Sequence, residues 1–276
     1  MTILRADGVD LDVEEWALPA TGGGRRPEHP VRESGQGTDL LLLHSLLTDR
    51  GSFAPVVPAL SKSRHVLLPA LPGFGRSTAA GLTIEDYADR IAAFLPSLSR
   101  GKPDVIANGF GGVIAVALAA RHGDRIGRLV LCDTTATFPE AGRVPFRNMA
   151  AAVEKAGMSA IVDTAVKRIF SPDYLARHPE AVDERRAVLL RADPRHFAAA
   201  CRALAIVDLR PALPKIANPA LVVVGTLDSA TPPELARDLA RGIPGATLRE
   251  IPDCGHCPPL QEPEKFLAAI RDFLEL

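Results

Sequence analysis

Two thiols and an imidazole stand within four residues near the end of the chain, Cys254-Gly255-His256-Cys257. Cysteines at this spacing suit thiol–disulfide exchange, in which one thiolate is activated at a helix N-terminus, and they also make half of a tetrahedral zinc site. Here the motif follows a late apolar run and precedes Pro258-Pro259. No strand-helix-strand unit surrounds it, and no second cysteine pair completes a site. Neither redox chemistry nor a bound metal is expected from it. A second cluster, Ala107-Asn108-Gly109-Phe110-Gly111-Gly112 with Asp133 further along, partly matches a dinucleotide fingerprint, but Ile114 fills the place of the third glycine. No cofactor is expected.

The elements that must carry these residues are legible in the hydrophobic period. Short apolar runs at Leu40 to Leu43, His65 to Leu68, Asp104 to Ala107, Arg128 to Cys132, Leu221 to Gly225 and Thr247 to Ile251 read as buried strands. Helical segments alternate with them, which predicts an α/β fold with a mostly parallel central sheet flanked by helices. Thr83-Ile84-Glu85-Asp86 reads as a helix start, and Thr231-Pro232-Pro233-Glu234 as a capping box closed at Gly242; Gly123 closes another helix. Gly22 to Thr38, rich in Gly, Pro and charge, reads as a surface loop after an N-terminal hairpin. From Phe138 to Ile216 the strand signal stops. Helical patterns follow at Asn148 to Ala156, Ala160 to Phe170, Pro179 to Arg191 and Arg195 to Ile206. The expected organisation is a core of residues 1–137 and 217–276, with residues 138–216 inserted as a helical cap over the strand ends, where open α/β sheets hold ligands.

Four motifs in chain order resemble those of the α/β-hydrolase fold family, over nearly the whole length. His44-Ser45-Leu46-Leu47 is similar to the family's oxyanion loop, where His-Gly is usual. Leu71-Pro72-Gly73-Phe74-Gly75-Arg76-Ser77 is similar to its Pro-Gly-Phe-Gly-x-Ser loop, with Ala70 where Asp is frequent. Leu221 to Asp228, followed by Thr231-Pro232-Pro233, resembles the strand and loop presenting the triad acid, and Ile251 to His256 those presenting the triad histidine. The family's nucleophile lies at the centre of Gly-x-Ser-x-Gly, on a sharp turn between strand and helix. In register, Gly109 holds that place, so no acyl-enzyme can form at residue 109. Glycine also removes a backbone strain of about 1 to 3 kcal/mol that a side-chain-bearing residue carries there.

The resemblance further implies that the backbone N–H groups of Phe110 and Leu46 stabilise an oxyanion, and that Ser45, His44 and Phe146 line the substrate pocket. The Ser45 hydroxyl is expected to bond its loop neighbours rather than His256, Cys257 to point away from His256, and Asp133 to bind loop amides rather than act as an alternative acid.

Within the family the chain most resembles 3-oxoadipate enol-lactonases and related small-molecule lactonases and esterases. The resemblance rests on Leu131-Cys132-Asp133-Thr134, on Ala156 to Ile161, and on Ala198 to Leu204 with Asp208-Leu209-Arg210; Phe146 and Ile169 stand where those caps usually carry tryptophan. It implies a cofactor-free enzyme acting on a small carbonyl, lactone or ester, with His256 oriented by Asp228 as general base and no serine nucleophile. Direct water attack, elimination, isomerisation and cyclisation all fit those groups. The alternatives are a catalytically silent ligand-binding homologue and an inactivated Ser-to-Gly variant of an enol-lactonase or esterase.

Composition narrows the partners. With 47% hydrophobic residues and a net charge of -1, the 276 residues form a folded chain without the basic excess of a nucleic-acid binder. The longest uncharged stretch, Val105 to Ala120, contains Asn108 and glycines and is too short to span a membrane. The first residues lack the pattern of a signal peptide. Four cysteines are too sparse for a disulfide scaffold. A small-molecule substrate, no nucleic-acid or membrane partner and a cytoplasmic location are expected.

Overall fold

Wholly apolar strands must be covered on both faces, and alternate side chains along them are divided accordingly. The computed structural model describes residues 1–6, 9–16, 38–79, 81–99 and 101–276. Among these residues one sheet holds β1 (Thr2–Ala6), β2 (Val9–Trp16), β3 (Leu40–Leu43), β4 (Val66–Pro69), β5 (Asp104–Asn108), β6 (Leu129–Cys132), β7 (Ala220–Gly225) and β8 (Thr247–Ile251). Their order across the sheet is β1-β2-β4-β3-β5-β6-β7-β8. The expected N-terminal hairpin is β1 with β2, and β2 joins β4 antiparallel; all later pairings are parallel.

Leu41, Leu43, Val105, Ala107 and Val222 pack on one face against α2 (Ile84–Leu98) and α3 (Phe110–His122). Leu40, Leu42, Ile106, Val130 and Val223 pack on the other, where α1 (Val57–Leu60) and α11 (Pro263–Leu274) lie. Thr83 caps α2 as expected: its hydroxyl accepts the Asp86 N–H at 3.2 Å, and the Asp86 carboxylate accepts the Thr83 N–H at 2.9 Å. Thr231 does not cap α9 (Pro233–Gly242); that helix starts after Pro232, and the Thr231 N–H and hydroxyl both go to Asp228 instead.

Between β6 and β7 every helix or strand is helical: α4 (Glu140–Ala156), α5 (Val162–Ile169), α6 (Pro172–Arg177), α7 (Glu180–Leu190) and α8 (Pro194–Ile206), with short 3-10 turns. Helix α4 begins eight residues before its expected start at Asn148 and carries Pro145 inside it, because the buried Phe146, Ala150 and Val153 share one face. Helix α6 was hidden by its single turn and a half. The Arg143 guanidinium donates to the carbonyls of Ala205 and Val207, joining α4 to the end of α8. Completing the fold is α10 (Pro258–Gln261). The loop expected from Gly22 lies, apart from Thr38, outside the described residues. No helix among the described residues is long and apolar enough to cross a membrane.

Candidate active site

The turn from β5 into α3 is held against three neighbouring strand ends. Gly109 has φ 54° and ψ −115°, a conformation open to glycine without strain. Its N–H donates to the Cys132 carbonyl at 2.9 Å, and its carbonyl accepts the Thr134 hydroxyl at 2.9 Å. Gly111 is needed for a different reason: a Cβ there would lie 2.3 Å from the Leu43 carbonyl oxygen, so only glycine lets α3 sit this close to β3. The Asn108 amide donates to the His256 carbonyl at 3.0 Å, fastening the turn to the histidine loop.

Asp228 follows β7 and His256 follows β8, and the sheet brings them together. The His256 Nδ1–H donates to Asp228 Oδ2 at 2.9 Å, with Thr231 Oγ1 a second partner at 3.2 Å. The Thr231 hydroxyl donates to the same Asp228 oxygen at 2.6 Å, and the N–H groups of Ala230 and Thr231 donate to the other at 2.7 and 3.1 Å. Burial opposes charge on Asp228, but His256 and these donors outweigh it and hold the carboxyl below its ordinary range. With the proton fixed on Nδ1, Nε2 presents a lone pair to the other side.

That lone pair has a partner. The Ser45 hydroxyl lies 3.2 Å from His256 Nε2, so the expectation that it bonds only its own loop is corrected. It is the Ser45 carbonyl that serves the loop, accepting from His44 Nδ1 at 2.9 Å and from the Thr48 N–H at 3.3 Å. His44 is also corrected: it does not line the cavity but is fully buried beneath it, accepting the Leu71 N–H on Nε2 at 3.1 Å. Burial, above all, lowers His44 to about 4, so it joins two loops as a neutral ring. The N–H groups of Leu46 and Phe110 have no acceptor among the described residues, and both residues line the cavity beside Ser45 and Gly109.

Asp133 closes the strand before this cluster with φ 46°, a left-handed backbone rare outside glycine. Its carboxyl accepts the Gly225 N–H at 2.9 Å and the Cys132 thiol at 3.0 Å, the amide-binding role expected for it. Burial, then the charge of Asp228, raise it well above the usual carboxylate range. Asp133, Asp228 and His256 present ligand-type atoms within 4.8 Å of one another, but each of these side chains is engaged by hydrogen bonds within the protein. Cys254 and Cys257 are buried free thiols, and burial pushes Cys257 up to about 12, far from the reactive thiolate a redox motif requires.

A cavity partly open to solvent lies above the cluster. Leu46, Leu47 and Val113 from the core meet Phe138, Phe146, Met149 and Leu204 from the helical segment around this cavity. Phe146 packs edge-on against Phe138, with ring centroids 4.8 Å apart. Ile169 is buried away from the cavity, and its carbonyl accepts the His256 N–H at 2.9 Å. Gln261 adds a second tie. Its carbonyl accepts the Ser171 and Gly255 N–H groups at 3.1 and 3.0 Å, while its amide donates to the Ser171 hydroxyl and the Asp253 carbonyl, both at 3.1 Å.

Arg168, which sequence reasoning missed, also faces this apolar space. Its guanidinium has no ion pair or hydrogen bond among the described residues, and partial burial lowers its pKa against the favourable charge of Asp228. On α5 it stands next to Lys167, and nothing in its type sets it apart from the other helix cations. Its place three residues after the buried Ala165, at the edge of the buried face of α5, was the signal.

Comparison with known proteins finds the same fold. The sequence model of a family described as "Alpha/beta hydrolase family" matches residues 40–269. A pimeloyl-[acyl-carrier protein] methyl ester esterase of Aromatoleum aromaticum is 32% identical over 250 residues, covering 85% of this chain and 97% of that protein. An enol-lactonase from Burkholderia xenovorans superposes with a TM-score of 0.86 at 32% identity, covering 100% of both chains. A thermophilic esterase from Thermogutta terrifontis superposes at 0.83 with 31% identity, over 99% of this chain and 96% of that one. The sheet order, the loops that carry Asp228 and His256, and the matched span converge: the chain belongs to the alpha/beta hydrolase family.

Proposed function

We propose that the protein hydrolyses small esters or lactones, with His256 as general base, Asp228 fixing its tautomer, and the N–H groups of Leu46 and Phe110 receiving the oxyanion. The observation that carries this reading is that His256 Nδ1 is pinned to Asp228 at 2.9 Å while Nε2 faces the floor of an apolar cavity. Two backbone donors suffice to polarise a carbonyl, so the reaction needs no cofactor. Hydrolysis is favoured over proton abstraction from carbon because Nε2 is bonded to a hydroxyl, the kind of group a hydrolase activates. A silent binder has no use for the chain Ser45–His256–Asp228–Thr231.

In this reading residues 138–216 are a cap whose Phe146 and Met149 shape the substrate's apolar part, and Arg168 receives a carboxylate or other anionic group on it. The relatives named for a methyl ester and an enol-lactone support the kind of bond cleaved. Kinetics with paired neutral and carboxylate-bearing 4-nitrophenyl esters and small lactones test it. His256→Ala should lower kcat by about 10²- to 10⁴-fold, and Arg168→Gln should raise KM for the anionic member of each pair alone. Turnover unchanged by His256→Ala, or no turnover of any ester or lactone by the native protein, would overturn the reading.

A further inference from the structure

We propose that Ser45 is the nucleophile, acting from the end of β3 in the place that the family's elbow serine holds at the end of β5. Strands β3 and β5 are parallel neighbours in which Leu43 lies opposite Ala107. Two residues beyond that pair, just past the strand ends, come Ser45 after β3 and Gly109 after β5, so the register of the two strands puts position 45 beside the elbow. The two sites share one volume. A Cβ built on Gly109 would lie 2.3 Å from Ser45 Oγ and 2.8 Å from His256 Nε2, which means the serine hydroxyl stands where a residue-109 side chain would be.

The oxyanion donors fit the exchange. In the family's arrangement one donor is the N–H of the residue after the nucleophile and the other comes from the neighbouring loop. With Ser45 attacking, Leu46 becomes the residue after the nucleophile and Phe110 the neighbouring donor, so the same two N–H groups serve with their roles reversed. Ser45 lines the cavity floor although its overall exposure is only 1%, and its hydroxyl is directed to a base whose other nitrogen is already fixed.

The chemistry balances. His256 Nε2 takes the Ser45 proton as Oγ bonds to the carbonyl carbon, and the carbonyl electron pair moves to the oxygen held by Leu46 and Phe110. Collapse expels the alcohol oxygen, which takes the proton from the His256 imidazolium, leaving an acyl ester on Ser45. Water then attacks that ester. Its proton passes to His256 and returns to Ser45 Oγ as the acid leaves, so ester and water become acid and alcohol. The inference rests on the proposed hydrolase reading for its substrate, whereas the reactivity of Ser45 is tested apart from it.

The native protein is treated with a fluorophosphonate and with phenylmethylsulfonyl fluoride, then analysed by intact mass and peptide mapping. One adduct per chain is expected on Ser45, absent from His256→Ala and from Ser45→Ala. Ser45→Ala should also lose at least about 10²-fold in kcat, and Ser45→Cys, which keeps a nucleophile of similar size, should accumulate a thioester detectable by mass. A positioning hydroxyl would give neither adduct. Hydrolysis that survives in Ser45→Ala, with no adduct on Ser45, overturns the nucleophile and leaves His256 activating water. Labelled Ser45 in a protein that cleaves no ester or lactone supports the nucleophile and overturns the substrate reading. No adduct on Ser45 under conditions that label a known serine hydrolase overturns the proposal whatever the turnover.

Discussion

At the scale of single residues, Ser45 and Gly109 are a coupled pair. Placing a hydroxyl back at the elbow with Gly109→Ser forces a Cβ to within 2.9 Å of both Ser45 and His256 and puts a side chain at φ 54°. The single variant is therefore expected to lose about 1 to 3 kcal/mol of stability and to gain no activity. Ser45→Gly with Gly109→Ser clears the clash and should recover ester hydrolysis relative to either single variant. Urea unfolding and initial rates on one ester check both statements. Asp228 and His256 were readable in the sequence because each stands in its own local motif. The bond of Ser45 to His256 was not, since the two lie 211 positions apart on loops after strands that are not neighbours in the sheet. Thr231 was misread for a related reason: next to Pro232 it has the look of a helix cap, while its hydroxyl has a better acceptor in Asp228.

At the scale of elements, the cost of a substitution depends on whether a site's backbone leans on it. Gly111→Ala drives a Cβ against the Leu43 carbonyl at 2.3 Å, so α3 must move off β3 and carry the Phe110 N–H with it. Thr83→Ala removes a cap far from the cavity and should cost about 1 kcal/mol with kcat unchanged. Gly111→Ala should lower stability and kcat together; comparing melting temperature and kcat of the two variants separates these outcomes. The strands were legible to within a residue or two, because runs such as Leu40 to Leu43 are buried on both faces and leave no alternative. The helical segment was legible in kind but not in detail. Pro145 hid the start of α4, and α6, with six residues, is too short to show a period.

At the scale of the whole molecule, charge is spent on fastening segments together as well as on chemistry. His65, just before β4, lies 3.2 Å from Asp39 and 3.5 Å from Glu15, and its hydrogen bond to Asp39 leads in raising it to about 9. A base raised above its ordinary 6.5 contributes stability that is complete below about pH 6.5 and disappears as pH climbs through about 9. Solvent screening reduces the contribution to about 1 to 2 kcal/mol. Urea unfolding of native protein and His65→Gln at pH 6.5 and 9.5 should show the native curve falling by that amount more than the variant's. The fold class was legible in the alternation of apolar runs and helices, whereas the neighbours in the sheet were not, because strand order is set by crossovers that leave no local mark. The bonds of Gln261 to the start of α6, and of the His256 N–H to the end of α5, have a mechanical consequence. Lifting α5 or α6 would drag the imidazole out of reach of Ser45. Helices α5 and α6 are thus tied to the loop that carries the base, whereas α4 and the end of α8 are tied to each other through Arg143.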